Sequence, residues 1–250
     1  MDETKNTLAI VLNRQPYREN DLLVTVYTKE FGKKKLVARG AKKLQSKLAG
    51  HLEPLSLAEI MIVRGKNFDY LGSALGRGTY FNLKSDLNKL YYGGRALAWF
   101  DKLVKENQAD ERLFFLLSRW LAVLDNFQAG RTGEELSKEN GELFFSFFAL
   151  KLMAELGYQP ELEHCLICRE KLRPGKNYFD LKNGGIVGQE CFSQKGEELK
   201  WDLVSISDSV IKLMRFILVN RFSQAEKIKT DKKHIKELYQ IVEKFLRYDL

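Results

Sequence analysis

Between Thr7 and Leu75 the chain sets out five short runs of aliphatic, β-branched and aromatic residues, each closed by turn-forming residues. Residues 7–12 lead into the turn-like Asn13-Arg14-Gln15-Pro16. Residues 22–27 are broken by Phe31-Gly32, and residues 35–40 follow through a hairpin at that glycine. Residues 57–63 precede Arg64-Gly65, and residues 68–75 form the fifth run. Strands this short do not bury a hydrophobic face alone. Five of them, with a helical pattern only around residues 41–48, predict a small barrel. A five-stranded Greek-key barrel of the OB type leads; an SH3-like barrel competes with it, and periodicity alone does not separate the two.

After Tyr80 the apolar period changes from strand to helix. Leu83, Leu87, Leu90 and Tyr91 recur at helical spacing behind Ser85-Asp86, an N-terminal signal. Leu113, Leu116, Leu117, Trp120, Leu121 and Leu124 form a second stripe. Leu143, Phe144, Phe147, Phe148 and Leu152 form a third, ended by Gly157 and Pro160. Residues 128–140 read as a loop. Val210, Leu213, Met214, Ile217 and Leu218 mark a fourth helix, and Ile235, Leu238, Tyr239, Val242, Phe245 and Leu246 a fifth. Such stripes are read as bundle core. The fold class is therefore α+β and multidomain: an OB-type barrel over residues 1–80, then a helical domain over residues 81–250 with a small cysteine-bearing insertion at about 161–200.

Charge separates the same two parts. The chain carries 41 Lys+Arg against 33 Asp+Glu, a net of +8; residues 1–80 hold +6 of it. With 44% hydrophobic and 30% charged residues the composition is globular and excludes a disordered tail. No apolar run spans a bilayer. The start Met1-Asp2-Glu3-Thr4-Lys5 lacks the basic-then-apolar order of a signal peptide, so a soluble intracellular chain is expected. Three scattered histidines (His51, His164, His234) and the absence of nucleotide-loop, zinc-protease and nucleophile-elbow motifs predict no enzyme.

Eight of the nineteen residues 29–47 are basic and one, Glu30, is acidic. Phosphate backbones favour such an array, because each neutralised phosphate releases counterions. Lys33, Lys34 and Lys35 are placed at the hairpin, and Arg39, Lys42, Lys43 and Lys47 follow the next strand. Arg14 and Arg18 flank the turn between strands 1 and 2, a common OB binding loop. Tyr17, Tyr27, Phe31 and Phe68 are candidate stacking platforms. The competing reading, lysines guarding an exposed edge, is outweighed by the density of the run and its near lack of opposing charge.

Cys165-Leu166-Ile167-Cys168 is a C-x-x-C knuckle, and Cys191 follows. A closed structural zinc site needs four tetrahedral ligands. Three residues before Cys191, where a second C-x-x-C would begin, stands Gly188. His164 is the obvious replacement, but adjacency to Cys165 makes it awkward to aim at the same ion; Glu190 or a water are the others. Zinc on Cys165, Cys168 and Cys191 and three unliganded thiols both stand as readings. Gly184-Gly185 fits a tight hairpin turn in either case.

Residues 9–25, from Ala9-Ile10-Val11 through Pro16-Tyr17-Arg18 to Leu22-Leu23-Val24-Thr25, resemble the opening of the bacterial recombination mediator family RecO. So do Phe31-Gly32-Lys33 through Lys43 and the trailing Leu52-Glu53-Pro54-Leu55. Leu152 through Leu162, leading into Cys165-x-x-Cys168, and Gly184-Gly185 before Cys191 resemble that family's entry to and exit from its cysteine knuckle. The resemblance implies an N-terminal OB-fold, a helical C-terminal domain and, in some members, a zinc-binding insertion; Gly188 departs from that pattern. It implies binding of single- and double-stranded DNA, strand annealing, and help in loading RecA onto strands coated by single-stranded-DNA-binding protein (SSB). Implied partners are RecR and the acidic, hydrophobic tail of SSB, with RecA indirectly and no membrane. The implied location is the bacterial cytoplasm, at the nucleoid. Lys212 or Arg215 beside Leu213 is the candidate tail pocket. The alternatives are an OB scaffold whose helical half binds a partner peptide, and an RNA-binding OB protein.

Overall fold

The computed structural model describes residues 4–78, 80–127, 135–195 and 203–248; residues 1–3, with the acidic start, and residues 128–134 of the expected loop lie outside the described residues. By packing, the chain divides into Met1–Phe127 and Gln128–Leu250.

In the first unit, β1 (Thr4–Pro16), β2 (Leu22–Thr28), β3 (Gly32–Ala38), β4 (Ser56–Val63) and β5 (Tyr70–Gly78) close a barrel in the order β1-β2-β3-β5-β4. β1 pairs antiparallel with both β2 and β4, and β3 meets β5 in parallel at Val37 and Tyr70. That order and the parallel closure are those of the expected OB type. Period-2 alternation fills the interior with Val24, Val26, Leu36, Ala38, Ala58, Ile60 and Ile62, all buried.

Two local expectations are corrected. Residues 13–16 do not turn. A register shift between Val11 and Asn13 lets β1 run on to Pro16 against β2, and the turn falls at 17–21. Pairing with β4 reaches only Val11, so Pro16 has a strand on one side alone, where a missing N–H is tolerated. Residues 41–48 form successive turns rather than an α-helix; the sole helical turn there is 3-10, at Ala49–His51.

Helices α1 (Phe81–Ser85), α2 (Leu87–Leu103) and α3 (Glu111–Asn126) complete this unit. The buried face of α3 is the one expected. That of α2 is not: Leu87, Leu90 and Tyr91 are exposed, and Lys89, Tyr92, Gly93, Ala96, Leu97 and Phe100 face inward. Lys89 sets this rotation. Its ammonium donates to the carbonyls of Asp125 (3.0 Å) and Phe127 (2.7 Å) at the end of α3, where orphan carbonyls favour a cation. Asp86 caps α2 through the Lys89 N–H.

The outer side of β2 and β3 is covered by the segment joining α2 to α3. Tyr27 packs edge-on against Phe100 at 4.9 Å, and its hydroxyl donates to the Asp110 carbonyl at 3.1 Å. Burial pushes its phenol up to about 12. Lys33, 7% exposed, places its ammonium 3.2 Å from the Asp101 carboxylate and donates to the Asp101 carbonyl. The Asn107 N–H donates to the Lys33 carbonyl.

In the second unit, α4 (Lys138–Glu155) is buried on nearly every side and packs with α6 (Asp208–Val219) and α7 (Lys232–Arg247). A four-stranded sheet of β6 (Glu161–Cys165), β8 (Gly185–Val187), β7 (Asn177–Asp180) and β9 (Leu203–Ile206) lies in that order, with α5 (Gln189–Lys195) after β8. The expected hairpin turn is present: Asp180 pairs with Gly185, and Gly184 has φ +62°. Among the described residues no helix is long and apolar enough to cross a membrane.

Gly32 has φ +66°, and a Cβ there would stand 2.1 Å from the Gln108 carbonyl oxygen. Gly32→Ala therefore lowers the unfolding free energy by at least about 1–2 kcal/mol from the backbone conformation alone, measured by urea titration. The folded state keeps the Tyr27 proton to about pH 12, while an unfolded tyrosine loses it near pH 10. Its contribution to stability is complete below about pH 10 and falls away between about pH 10 and 12. Tyr27→Phe flattens that alkaline decline relative to the unsubstituted protein.

Candidate nucleic-acid interface

Three loops on the barrel form one ledge. The loop at 17–21 and the loop at 64–69 meet where the Tyr17 and Phe68 rings pack edge-on, centroids 6.0 Å apart. Both rings keep more than a third of their surface exposed. The Arg18 guanidinium lies over Tyr17 at 5.2 Å. The loop at 39–48 is tied in by the Lys42 N–H donating to the Asn20 carbonyl (3.0 Å) and the Gly40 N–H donating to the Asp21 carboxylate (2.8 Å). The Arg39 guanidinium lies over Tyr70 at 3.8 Å, within cation–π range of the ring. Lys42, Lys43 and Lys47 are exposed, and among the described residues none pairs with a carboxylate.

The expected phosphate contacts thus divide. Arg18, Arg39, Lys42, Lys43 and Lys47 are brought together on the ledge. Arg14 lies within β1, 3.7 Å from Glu53, both half-exposed. Lys33, Lys34 and Lys35 lie within β3 rather than at a hairpin. Lys33 is enclosed against Asp101 and is not available to a strand. Lys35 is exposed but sits 2.5 Å from Glu106; their hydrogen bond raises the Lys35 ammonium and lowers the Glu106 carboxyl from their ordinary values. Lys34 points the other way and lines a cavity of about 330 Å³ with Lys5, Phe31, Ile62, Arg64 and Asp69. Two expected platforms are corrected as well. Tyr27 is wholly buried, and Phe31 packs against the barrel core with Lys5 over its ring. Sequence reasoning passed over Arg64, Lys66 and Tyr70. The signal was available: two cations and Phe68 interleave between the last two strands, where an OB barrel carries its second binding loop.

In the second unit Cys165, Cys168 and Cys191 bring their sulfurs within 4.8 Å of one another. Tetrahedral zinc with bonds of about 2.3 Å needs sulfurs about 3.8 Å apart, so the trio fits such an ion. Burial works to raise the Cys165 thiol, but N–H groups of Gly188, Cys168 and Ile167 and the Cys168 thiol bring it down to about 7; Cys191 is pushed up to about 11 by burial and its two thiol neighbours. Gly188 donates its N–H to the Cys165 sulfur at 3.4 Å. His164 is not brought into the cluster. Its ring is exposed and stands 3.7 Å from Glu161. Glu190 faces Arg173 at 3.4 Å, both strongly exposed. Among the described residues the cluster consists of the three cysteines alone.

The Lys212, Leu213, Arg215 trio does not form a groove. Lys212 is exposed and Leu213 is in the core. Arg215 bonds the Leu162 carbonyl and pairs with Glu163 at 3.0 Å, tying α6 to β6.

Comparison with known proteins follows this architecture. A family model described as recombination protein O N terminal matches residues 1–79, and one described as recombination protein O C terminal matches residues 84–250. The chain is 27% identical over 246 residues to the DNA repair protein RecO of Thermoanaerobacter sp. (strain X514), covering 98% of this chain and 92% of that one. It is 28% identical to the DNA repair protein RecO of Dehalococcoides mccartyi (strain BAV1), covering 98% and 90%. With that of Syntrophomonas wolfei it shares 29% identity, covering 94% and 87%. The two models between them take in the OB-type barrel and the chain from residue 84 on, and the chain belongs to the RecO family of DNA repair and recombination proteins.

Proposed function

We propose that this chain is a non-enzymatic DNA-binding mediator of recombinational repair. It binds single- and double-stranded DNA, anneals complementary strands and, with RecR, helps load RecA onto SSB-coated single strands. The barrel module at residues 1–80 carries the DNA, and residues 81–250 carry partner contacts, the SSB tail among them. The observation that carries the reading is the ledge: an exposed aromatic pair bridging two loops, beside cations that pair with no carboxylate among the described residues. Phosphates are held by Arg18, Arg39, Lys42, Lys43 and Lys47, with Arg14 at the margin, and bases stack on Tyr17 and Phe68. Annealing needs no bond to be made or broken in either strand; it needs two strands held with their charge neutralised and their bases reachable. In the second unit Cys165, Cys168 and Cys191 hold zinc as a local cross-link between the knuckle and α5.

Anisotropy of a labelled single-stranded oligonucleotide across a salt series tests this. Log affinity falls linearly with log salt, by roughly 0.7 per phosphate contacted. Lys42→Glu/Lys43→Glu/Lys47→Glu flattens the slope. Tyr17→Ala/Phe68→Ala weakens binding by about 1–3 kcal/mol per base stacked and leaves the slope unchanged. Lys33→Met lowers thermal stability and keeps the slope. Salt-independent or absent binding sinks the proposal and returns function to a scaffold role for the helical half. Equal competition by an RNA strand moves the ledge to RNA.

A further inference from the structure

The three-cysteine cluster opens into a cavity of about 720 Å³. All three cysteines line it, together with Gly188, Glu190, Lys171, Arg173 and Lys176. The position that a second C-x-x-C would fill is Gly188, and its backbone sits beside the cluster, the amide 3.4 Å from the Cys165 sulfur. Nothing about the fold demands glycine there. Its φ lies outside the left-handed region, and a Cβ would meet only the Asn177 side-chain oxygen, at 3.9 Å. The fourth ligand is therefore missing by composition, and among the described residues no His, Asp or Glu replaces it.

We infer that the metal held by Cys165, Cys168 and Cys191 keeps its fourth coordination position turned to this cavity, where it takes an exchangeable monodentate donor from solution. The inference rests on the proposal that the trio holds a metal. Three thiolates on a divalent ion leave one net negative charge. Lys171, Arg173 and Lys176 line the same cavity against Glu170 and Glu190, and the one positive charge left over offsets it. A three-sulfur site with an accessible fourth position is the arrangement found in metal sites that bind exogenous ligands, whereas structural sites are closed by four protein ligands.

The full-length protein is loaded with Zn2+ for X-ray absorption and with Co2+ for visible spectroscopy, and imidazole is the probe ligand. Three sulfurs with one nitrogen or oxygen are expected, and imidazole shifts the cobalt bands in a saturable way. Gly188→Cys gives four sulfurs, removes the imidazole shift and slows metal loss to a chelator. Four sulfurs in the unsubstituted protein, or cobalt bands indifferent to imidazole, overturn the exchangeable position while leaving the metal reading intact. Failure to take up one metal per chain, with all three thiols reacting freely with a thiol reagent, overturns both. The spectra of the unsubstituted protein decide the matter even where Gly188→Cys does not fold.

Discussion

The arrangement of the first unit depends on one buried charge. Lys33 lies on the outward side of β3 and is enclosed, and enclosing an ammonium is costly unless it is paired or hydrogen-bonded. Asp101 meets it, from the end of α2, and the segment that follows runs beside β3 with Asn107 and Glu106 in contact. Tyr27, the cross-strand neighbour of Lys33, seals the same face against Phe100 and Asp110. Covering β2 and β3 in this way removes the strand surface on which an OB barrel ordinarily lays a nucleic-acid chain. What the barrel still presents is its loops, and they hold the exposed Tyr17 and Phe68 and the exposed Lys42, Lys43 and Lys47.

The run at 29–47 therefore does two jobs. Its first half is matched to the chain's own carboxylates: Lys29 to Glu111, Lys33 to Asp101, Lys35 to Glu106. Its second half, from Arg39 to Lys47, meets none among the described residues. Counting lysines hid this division, because the acidic partners are distant in sequence. Part of it was legible all the same. Alternation in a strand puts Lys33 and Lys35 on one side and Lys34 on the other, so a triplet in a strand cannot present three ammonium groups to one phosphate track. A triplet at a hairpin tip is free of that alternation, whereas within β3 it is bound by it.

Elsewhere legibility followed how strongly a residue's environment dictates its pattern. The five strands and the stripes of α3, α6 and α7 were visible because each buries one continuous face. The rotation of α2 was not, since it turns on Lys89 reaching carbonyls at the end of α3, a contact between positions more than thirty residues apart. An apolar count favours Leu87, Leu90 and Tyr91 over a lysine, yet the carbonyls at the end of α3 need a donor, which Lys89 supplies and an apolar side chain would not. The small strands β6 and β9 escaped notice because runs of four or five residues carry little periodicity.

The fold around the cysteine knuckle does not depend on the three thiols. Small zinc domains unfold without their ion because they bury little else. Here the surrounding sheet rests on other supports. Phe179 packs edge-on against Phe245 at 5.2 Å, and Ile186, Val187 and Leu162 are buried. Asp180 closes the hairpin turn through the N–H groups of Lys182 and Asn183, and Arg215 anchors β6 to α6. None of these contacts passes through the thiols. With the sheet held from its other face by α7, the cluster is relieved of the requirement that it be closed. A glycine at 188 then leaves a cluster of three thiols without costing the domain its fold.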